Sequence, residues 1–475
     1  MSIDSQDVPA PVTPPGAAPK FTSGSLLNHI FVMTGTGAFG LMAIFIGDLA
    51  NLIFLSWLKD EAIVAAVGYG SSILFLTVSI GIGLSIAATS LVSPAIGARD
   101  LARARRLSVN VFLATLLVSL VSSFLVWLSI PWALKTLGAT GRTFDLAQTY
   151  LNILVPSLAP LALGMTATGV LRSVGDARRA MNVTLLGAVV NIVLDPIFIF
   201  GFGWGLEGAA IASVLARFAM MAVGFYGVIV VHKLIDRPHW GMFVNDAVLI
   251  AGIAGPAIMT NIATPVSNAY VTAAISQYGD GAVAGWTTIG RVLPVAFGAI
   301  YALSGAIGPI LGQNYGAGEG ARMRQAFHLS LWVMTGFTAI AWAVMAAMAY
   351  PIANVMHATG DAERLIVLYC RWLTPLFVFL GALFIANAAF NTLGRPATSM
   401  VLNWGRATLG TVPFVMAGGY FGGAGGVLAG HMLGGIVFGV IGVWMCSRLI
   451  ETLARLRPGG DVTAVVATSW NNRAR

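Results

Sequence analysis

Charged side chains are scarce in this chain. Only 9% of its 475 residues are Asp, Glu, Lys or Arg, while 57% are hydrophobic, and a soluble domain carries about 25% charged residues. This composition excludes an ordinary water-soluble globular protein. Long apolar runs such as Val109 to Ile130 match the roughly 20 residues that a helix needs to cross a hydrocarbon core. We therefore predict an all-α membrane protein.

Cysteine is nearly absent as well. Cys370 and Cys446 stand alone, without the CxxC or Cys/His spacing that holds a metal ion or forms a redox pair. We expect both to be small buried apolar residues. The sequence therefore predicts neither a metal cofactor nor any other cofactor.

A net charge of +8 raises the question of a nucleic-acid partner. The Lys and Arg residues stand in short segments between apolar runs and form no basic stripe, so we expect no such partner. Residues 1–24 contain Asp4, Asp7 and several prolines, which is unlike a signal peptide. We interpret them as a disordered cytoplasmic tail.

Apolar stretches bounded by charge, Gly or Pro predict twelve membrane-spanning helices. The predicted helices are 28–57, 62–95, 106–130, 144–172, 177–200, 206–231, 246–277, 282–315, 323–350, 363–391, 397–419 and 425–449. They divide into two six-helix lobes, residues 25–232 and 246–452. A cytoplasmic linker, 233–245, joins the lobes, and residues 453–475 form a second cytoplasmic tail.

Basic residues are distributed unevenly between the two sets of loops. Loops after even-numbered helices carry Arg99, Arg103, Arg105, Arg106, Arg172, Arg178, Arg179, Lys233, Arg237, Arg322, Arg324 and Arg395. Loops after odd-numbered helices carry only Lys59, Lys135, Arg142 and Arg364. The positive-inside rule then puts both termini in the cytoplasm. We predict a multi-pass protein of the inner membrane.

The two halves repeat at a single offset. The segment 97–100 matches 316–319 (316 − 97 = 219), and 139–141 matches 358–360 at the same spacing. Tyr150 and Tyr369 keep it too. Because each repeat holds an even number of helices, we expect pseudo-symmetric lobes around a central cleft.

Two acids fall inside predicted helices. Asp48 lies late in the first helix and Asp195 late in the fifth. An ionised carboxylate at bilayer depth costs about 2.5 to 3.5 kcal/mol, so such residues are rare unless they face a cavity or a partner. Both are candidate functional residues.

An asparagine accompanies each acid on the same helix face. Asn51 follows Asp48 by three residues, and Asn191 precedes Asp195 by four. Pro196 also frees a backbone carbonyl near the second pair. We expect each amide to hydrogen-bond its own acid, and the set to hold a proton or sodium ion.

A structural role for the acids is the alternative. A buried salt bridge, for instance to Arg217, also satisfies an intramembrane carboxylate. Arg217, Arg291 and Arg406 themselves either line the cleft or bond to helix ends. His431 stands without an acid or Ser near it in sequence, so we expect a buried histidine.

Signs of enzymatic chemistry are missing from the sequence. Residues 418–426 are rich in glycine but contain no GxxxxGK[ST] motif, and we interpret them as a tight turn between closely packed helices. No His/Asp or Cys/His cluster points to a membrane-embedded transferase or hydrolase. We predict that the protein is not an enzyme.

Four segments together resemble the multidrug and toxic compound extrusion (MATE) family, over about residues 27–452. They are Ser93–Arg99 followed by an Arg-rich run, Leu171–Asp176, Asn191–Pro196 and Gly312–Gly318. The resemblance implies two six-helix lobes around a V-shaped cleft. It also implies exchange of protons or sodium for amphiphilic, often cationic, compounds.

The resemblance further implies roles for individual residues. In the branch whose coupling acids lie in the N-terminal lobe, the matching residues are Asp48, Asn191, Asp195 and Ser213. Thr168 stands where that branch has an asparagine, and Leu41 where it has a polar residue. The acids of the sodium-coupled branch are absent, since helix seven offers Asn261 and Asn268 and helix ten offers Asn387 and Asn391.

We therefore expect a monomeric secondary active exporter of small amphiphilic molecules that is coupled to protons or sodium. Candidate substrate-cleft residues are Asn51, Asn261, Asn268, Arg291 and Arg406. The alternative function is a flippase for a lipid-linked precursor in the same superfamily, for which Arg217, Arg291 and Arg406 would bind a pyrophosphate.

Overall fold

Residues 18–236 and 240–455 are described by a computed structural model, and they form helices and turns with no strand among them. The first ten long helices follow in chain order. They are α1 Leu26–Ser56, α2 Glu61–Gly97, α3 Leu101–Thr136, α4 Gly141–Ser173, α5 Ala177–Gly201, α6 Gly205–Val231, α7 Trp240–Ser276, α8 Asp280–Ala296 with Gly298–Gly316, α9 Gly320–Ala347 and α10 Asp361–Thr392. A short helix, Ala349–Val355, connects α9 to α10.

The last helical segment is a hairpin. Residues 412–455 would be about 66 Å long as one straight helix, but Gly422 and Gly423 leave helical geometry, and Gly423 has a φ of 57°. The chain reverses there, so that Gly418 packs on the backbone of Gly426 and Gly430 on that of Phe414. We name residues 396–407 with 412–421 α11, and residues 424–455 α12.

These helices make up the twelve membrane-spanning segments that the sequence predicts. Within residues 18–236 and 240–455, ten segments are long and apolar enough to cross a membrane, and α8, bent by 49° at Phe297, makes an eleventh. Division of the last segment at its turn gives the twelfth. Cys370 and Cys446 are buried, as predicted. α7 begins at Trp240, earlier than the predicted residue 246.

The outer surface of α3 shows why the fold needs lipid. Its exposed side chains form an apolar stripe along one face: Leu117, Leu120, Val121, Phe124, Leu125 and Leu128. A continuous apolar surface of this kind is unfavourable in water and favourable against acyl chains. The chain is therefore a multi-pass membrane protein.

The internal repeat appears in the backbone as well as in the sequence. Left-handed φ angles occur at Arg99 and at Gly318, 219 positions later (318 − 99), and again at Gly175 and Gly394. A 3₁₀ turn interrupts α4 at Val155–Ser157 and α10 at Thr374–Leu376, at the same offset. The two lobes therefore share one fold.

The lobes meet through glycines at one end of the molecule. Gly97 of α2 packs on the backbone of Gln313 in α8, and Gly316 of α8 packs on the backbone of Pro94 in α2. Gly97 and Gly316 are equivalent in the repeat (316 − 97 = 219), and so are Pro94 and Gln313 (313 − 94 = 219). The pseudo-two-fold axis therefore exchanges the two halves of this contact. A Cβ at either glycine would collide with the facing backbone, which makes this close approach specific to glycine.

A second symmetric pair of contacts lies deeper in the membrane. Gly37 of α1 packs on Ala302 of α8, and Gly83 of α2 packs on Ala254 and Ile258 of α7. Farther from the glycine contact lies an apolar cluster whose members fall between Leu55 and Ala210 in the sequence. All of them belong to the first lobe. The lobes therefore converge at the end that bears the basic loops, which we name the basic end. They diverge toward the opposite end, where the cleft opens.

Asp176 ties the loops of the first lobe together at the basic end. Its side chain accepts a hydrogen bond from the backbone N–H of Arg179 and so caps α5. Burial alone would raise the pKa of Asp176, but hydrogen bonds with His232 and Arg179 outweigh it and hold the pKa well below its usual range. The carboxylate therefore stays ionised and joins the start of α5 to the end of α6.

The chain before α1 crosses the basic end as an N-terminal strap, residues 20–24. The Phe21 N–H donates to Gln313 Oε1 at 2.8 Å, and Gln313 Nε2 donates to the Ser173 carbonyl at 2.7 Å. Lys20 Nζ donates to the Gly175 carbonyl at 3.1 Å. Residues 1–17 of the predicted tail lie outside the described residues, as do the linker residues 237–239 and the terminal residues 456–475.

Replacement of Phe21 tests whether the strap holds the basic end closed. The Phe21 ring is 1% exposed and packs with core residues of the second lobe, and truncation of a buried aromatic costs about 3 to 5 kcal/mol in a core. We expect Phe21→Ala to speed the labelling of a reporter Ser173→Cys by an impermeant maleimide. Cys370 and Cys446 add little background because they are buried. Phe31→Ala, at an exposed position of α1, is the control. Equal labelling rates in the two variants would contradict a closing role.

Candidate functional site

Asp195 is the most deeply buried acid of the first lobe. It is 0% exposed and lies on α5 just before Pro196. After the proline the helix widens into π-type turns over Ile197–Gly201. Asp195 Oδ2 accepts hydrogen bonds from Asn51 Nδ2 at 2.8 Å and from Asn191 Nδ2 at 3.1 Å. Asp195 Oδ1 is buried and has no hydrogen-bond partner among the described residues.

The two asparagines do not each hydrogen-bond a different acid, as the sequence predicted; both donate to Asp195. Asn191 does bond Asp195, its neighbour on α5. Asn51 was expected to bond Asp48 and to line the substrate cleft, but it is 9% exposed and donates across to Asp195. This expectation was wrong because spacing along a helix does not reveal which neighbouring helix faces the side chain. The contact joins α1 to α5.

Asp48 lies one helical turn before Asn51 and differs from Asp195 in exposure. It is exposed, and it interacts electrostatically with Arg217 of α6 and Tyr150 of α4. Both partners belong to the first lobe, so the carboxyl lies within electrostatic range of charged and polar groups of its own lobe. The lobe therefore holds one accessible acid and one buried acid.

Arg217 does not form the salt bridge considered as the alternative for Asp195. Its Nη1 donates to the Leu154 carbonyl at 3.0 Å and to Ser157 Oγ at 2.8 Å. Both acceptors belong to the 3₁₀ interruption of α4, where the helical hydrogen-bond ladder is broken. The guanidinium therefore satisfies a helix break and leaves both carboxylates without an ion pair among the described residues.

The remaining residues predicted for coupling contact neither acid by a hydrogen bond. Thr168 is buried, and its hydroxyl donates to the Gly164 carbonyl of its own helix at 3.0 Å. Ser213 and Leu41 are half-buried. The structure thus brings together Asp195, Asn51 and Asn191, with Asp48 beside them, and leaves Thr168 in a local helical bond.

In the second lobe, the predicted cleft residues differ in how far their side chains are exposed. Arg291 and Asn268 are exposed. Asn261 is half-buried and donates to the Ala257 carbonyl at 2.8 Å. Arg406 is only 3% exposed, and its Nη2 donates to Thr264 Oγ1 at 3.0 Å. Arg291 and Asn268 therefore remain candidates for the cleft surface, and Arg406 belongs to the lobe interior.

The sequence did not predict a site role for three residues that lie near the intramembrane acids and arginines. Tyr150 lies close enough to sense Asp48, Asp195 and Arg217, and Tyr301 lies beside Arg406. Thr264 is the residue that Arg406 bonds. A tyrosine or threonine in an apolar helix carries little signal by itself. The shared offset of Tyr150 and Tyr369 was the only available sign that this level of the membrane matters.

Two six-helix lobes, joined at one end and holding acids in the membrane interior, define a membrane transporter. The sequence profile of the MatE family matches residues 37–197 and again residues 256–416. The two matches are 219 positions apart (256 − 37), which is the offset found within the chain. The chain belongs to the MATE family of transporters.

Proteins similar to this chain include two transporters and a solved structure of the MATE family. A FAD transporter of Shewanella oneidensis is 28% identical over 87% of this chain and 92% of its own length. The multidrug export protein MepA of Staphylococcus aureus is 21% identical, with 90% of each chain covered. A crystal structure of a mutant of the Vibrio cholerae MATE transporter VcmN aligns with a TM-score of 0.85 and 25% identity. That alignment covers 89% of this chain and 96% of the other.

A double-mutant cycle tests the bond between Asn51 and Asp195. Removal of the amide leaves a buried carboxylate oxygen without its donor, which costs about 1 to 3 kcal/mol. We expect Asn51→Ala to lower the thermal unfolding temperature of the purified protein. The loss should be much smaller in an Asp195→Ala background. Asn152→Ala, at an exposed position of the same lobe, is the control. Equal losses in both backgrounds would mean that the two residues are not coupled.

Proposed function

We propose that the chain is a secondary active exporter that exchanges protons or sodium for amphiphilic, cationic compounds. The observation that carries this proposal is the unpartnered Oδ1 of the fully buried Asp195. A buried charge without a partner costs several kcal/mol, and a bound cation removes that cost. The carboxylate therefore favours a proton or a sodium ion whenever one can reach it.

The two asparagines make this binding sensitive to the arrangement of the helices. Asn51 on α1 and Asn191 on α5 both donate to Oδ2, which leaves Oδ1 to receive the cation. The sodium ion, like the proton, is cargo here. Neutralisation of Asp195 weakens the two amide bonds to it, because hydrogen bonds to charged acceptors are stronger than those to neutral ones. Binding of the ion therefore loosens α1 from α5.

Asp48 supplies the accessible charge of the same site. Because it is exposed, an incoming ion or a cationic substrate can reach it before Asp195. We propose that the ion and the substrate compete for this carboxylate, so that arrival of one releases the other. Each elementary charge moved through 100 mV provides about 2.3 kcal/mol, enough to accumulate substrate tens-fold.

The orientation follows from the loop charges. We propose that the basic end faces the cytoplasm of a cell with an inner membrane, with both termini inside. The cleft described here then opens outward. Ions from outside would reach Asp48 directly, and the convergence of α2 and α8 would seal the inner side.

Two other substrate classes differ in the charge that they require. A flippase for a lipid-linked pyrophosphate needs a cationic cleft, but among Arg217, Arg291 and Arg406 only Arg291 is exposed. This disfavours the flippase. The FAD transporter of S. oneidensis indicates a second candidate class, namely soluble aromatic compounds that bear phosphate.

Ion coupling is tested in reconstituted vesicles. We expect Asp195→Asn and Asp48→Asn to reduce substrate-induced release of protons or sodium to background, because an amide neither takes up a proton at physiological pH nor supplies the negative charge that balances a sodium ion. Uptake of ethidium driven by an imposed gradient should fall at least tens-fold, the scale set by one coupled charge. Internal pH and sodium indicators would identify the ion.

Asp145→Asn is the matched control for these variants. Asp145 is an exposed acid of the same lobe, so its replacement removes one negative charge without altering the hydrogen bonds of Asp195. Transport by this variant should match that of the unaltered protein. Retention of gradient-driven uptake by both Asp48→Asn and Asp195→Asn would show that the acids are structural.

A further inference from the structure

Arg406 is a buried cation in the middle of the membrane. It lies ten residues after Pro396, the start of α11, or about 15 Å along the helix, which is half of a hydrocarbon core about 30 Å thick. Its Nη2 bonds Thr264 Oγ1, while its Nε is buried and has no partner among the described residues. Because arginine offers five N–H donors in a planar fork, the buried Nε–H is a donor still available to a ligand.

The second lobe offers no acid to neutralise this charge. Its acidic residues stand at or beyond helix ends: Asp246, Asp280, Glu319, Asp361, Glu363 and Glu451. Asp246, which is buried near the start of α7, is already paired with Arg106 at 3.1 Å. A buried cation without a counter-charge costs several kcal/mol. Such a residue is expected where a ligand supplies the missing negative charge.

The neighbours of Arg406 are polar and aromatic. Tyr301 of α8 and His431 of α12 both interact with it electrostatically, and both are half-buried. The Nδ1 atom of His431 is itself buried without a partner among the described residues. The Tyr301 ring centroid lies 5.5 Å from that of Phe384. The ring centroids of Trp286 and His431 are 6.2 Å apart.

We propose that Arg406, with Thr264, Tyr301 and His431, forms a subsite for the anionic group of an amphiphilic aromatic substrate. The group is a phosphate or a carboxylate, because the planar guanidinium matches either one with paired hydrogen bonds. The aromatic rings next to it suit the apolar part of the same molecule. The proposal rests on the second substrate class of the proposed function, the aromatic compounds that bear phosphate, in that the ligand is the exported substrate.

The two lobes then have opposite charge preferences at their interiors. The first lobe contains Asp48 and Asp195 for the coupling cation, and the second contains Arg406 for the anionic group. This separation gives the anionic group of a substrate a partner apart from the carboxylates that bind the coupling ion. It predicts that anionic and cationic ligands respond differently to the loss of Arg406.

Equilibrium binding to the purified full chain in lipid nanodiscs tests the subsite. FAD, an aromatic pyrophosphate, is the probe, followed by quenching of its flavin fluorescence. We expect Arg406→Gln to weaken FAD binding roughly tenfold or more, the value of a hydrogen-bonded charge pair, and Arg406→Lys to weaken it less. Binding of ethidium, a cation without phosphate, should not weaken. A structural role for Arg406 alone would weaken both ligands.

Arg371→Gln is the control. It removes a charge from an exposed arginine of the same lobe, whose guanidinium lies 4.8 Å from the Tyr350 ring centroid. FAD affinity should not change in this variant. If Arg406→Gln fails to fold, Thr264→Val keeps the charge, removes the hydroxyl that orients Nη2, and should still weaken FAD several-fold.

Farnesyl pyrophosphate distinguishes a lipid phosphate from a soluble one. If farnesyl pyrophosphate displaces FAD, the subsite accepts phosphate groups of both lipids and soluble compounds. If FAD binds and farnesyl pyrophosphate does not displace it, the subsite accepts soluble aromatic phosphates only. Unchanged FAD affinity in Arg406→Gln, or no binding of either compound by the unaltered chain, would overturn the proposal. Because no ion gradient is present, this result is independent of ion coupling through Asp195.

Discussion

The buried carboxylate of Asp195 imposes the strictest energetic condition in this molecule. In a low-dielectric interior an ionised acid must be hydrogen-bonded, paired with a cation or protonated. Here two amides satisfy one oxygen and leave the other without a donor. Because one amide comes from α1 and the other from α5 itself, the charge state of a single side chain bears directly on how these two helices pack.

The glycine contacts at the basic end set the geometry in which this chemistry operates. The backbones of α2 and α8 approach closely at Gly97 and Gly316, and this contact is repeated across the pseudo-two-fold axis. Small residues at helix crossings are the usual means of association in lipid, where no hydrophobic force distinguishes protein from solvent. Such a contact closes one end by shape complementarity, and the ion pair between Arg106 of the first lobe and Asp246 of the second supports it.

The two lobes share a backbone plan but differ in the charges they enclose. The 3₁₀ interruptions of α4 and α10 lie at equivalent positions, and Tyr150 and Tyr369 mark the same level in each lobe. The first lobe places Asp48, Asp195 and Arg217 around its interruption, while the second holds Arg406 without an acid. The two halves therefore share one scaffold, and a few intramembrane residues give their interiors different charges.

The chain's own pattern was enough to predict twelve helices, their approximate bounds and the repeat at 219 positions, because lipid restricts the backbone to helices. The same pattern makes Asp48 and Asp195 candidate functional residues, because charge is conspicuous in an apolar sequence. Partners across helices were decided only by tertiary structure. Asn51 bonds Asp195 instead of its neighbour Asp48, Arg217 bonds a helix break instead of an acid, and Arg406 is buried while Arg291 is exposed. Helical periodicity specifies which residues share a face, but the rotation and tilt of packed helices determine what that face meets.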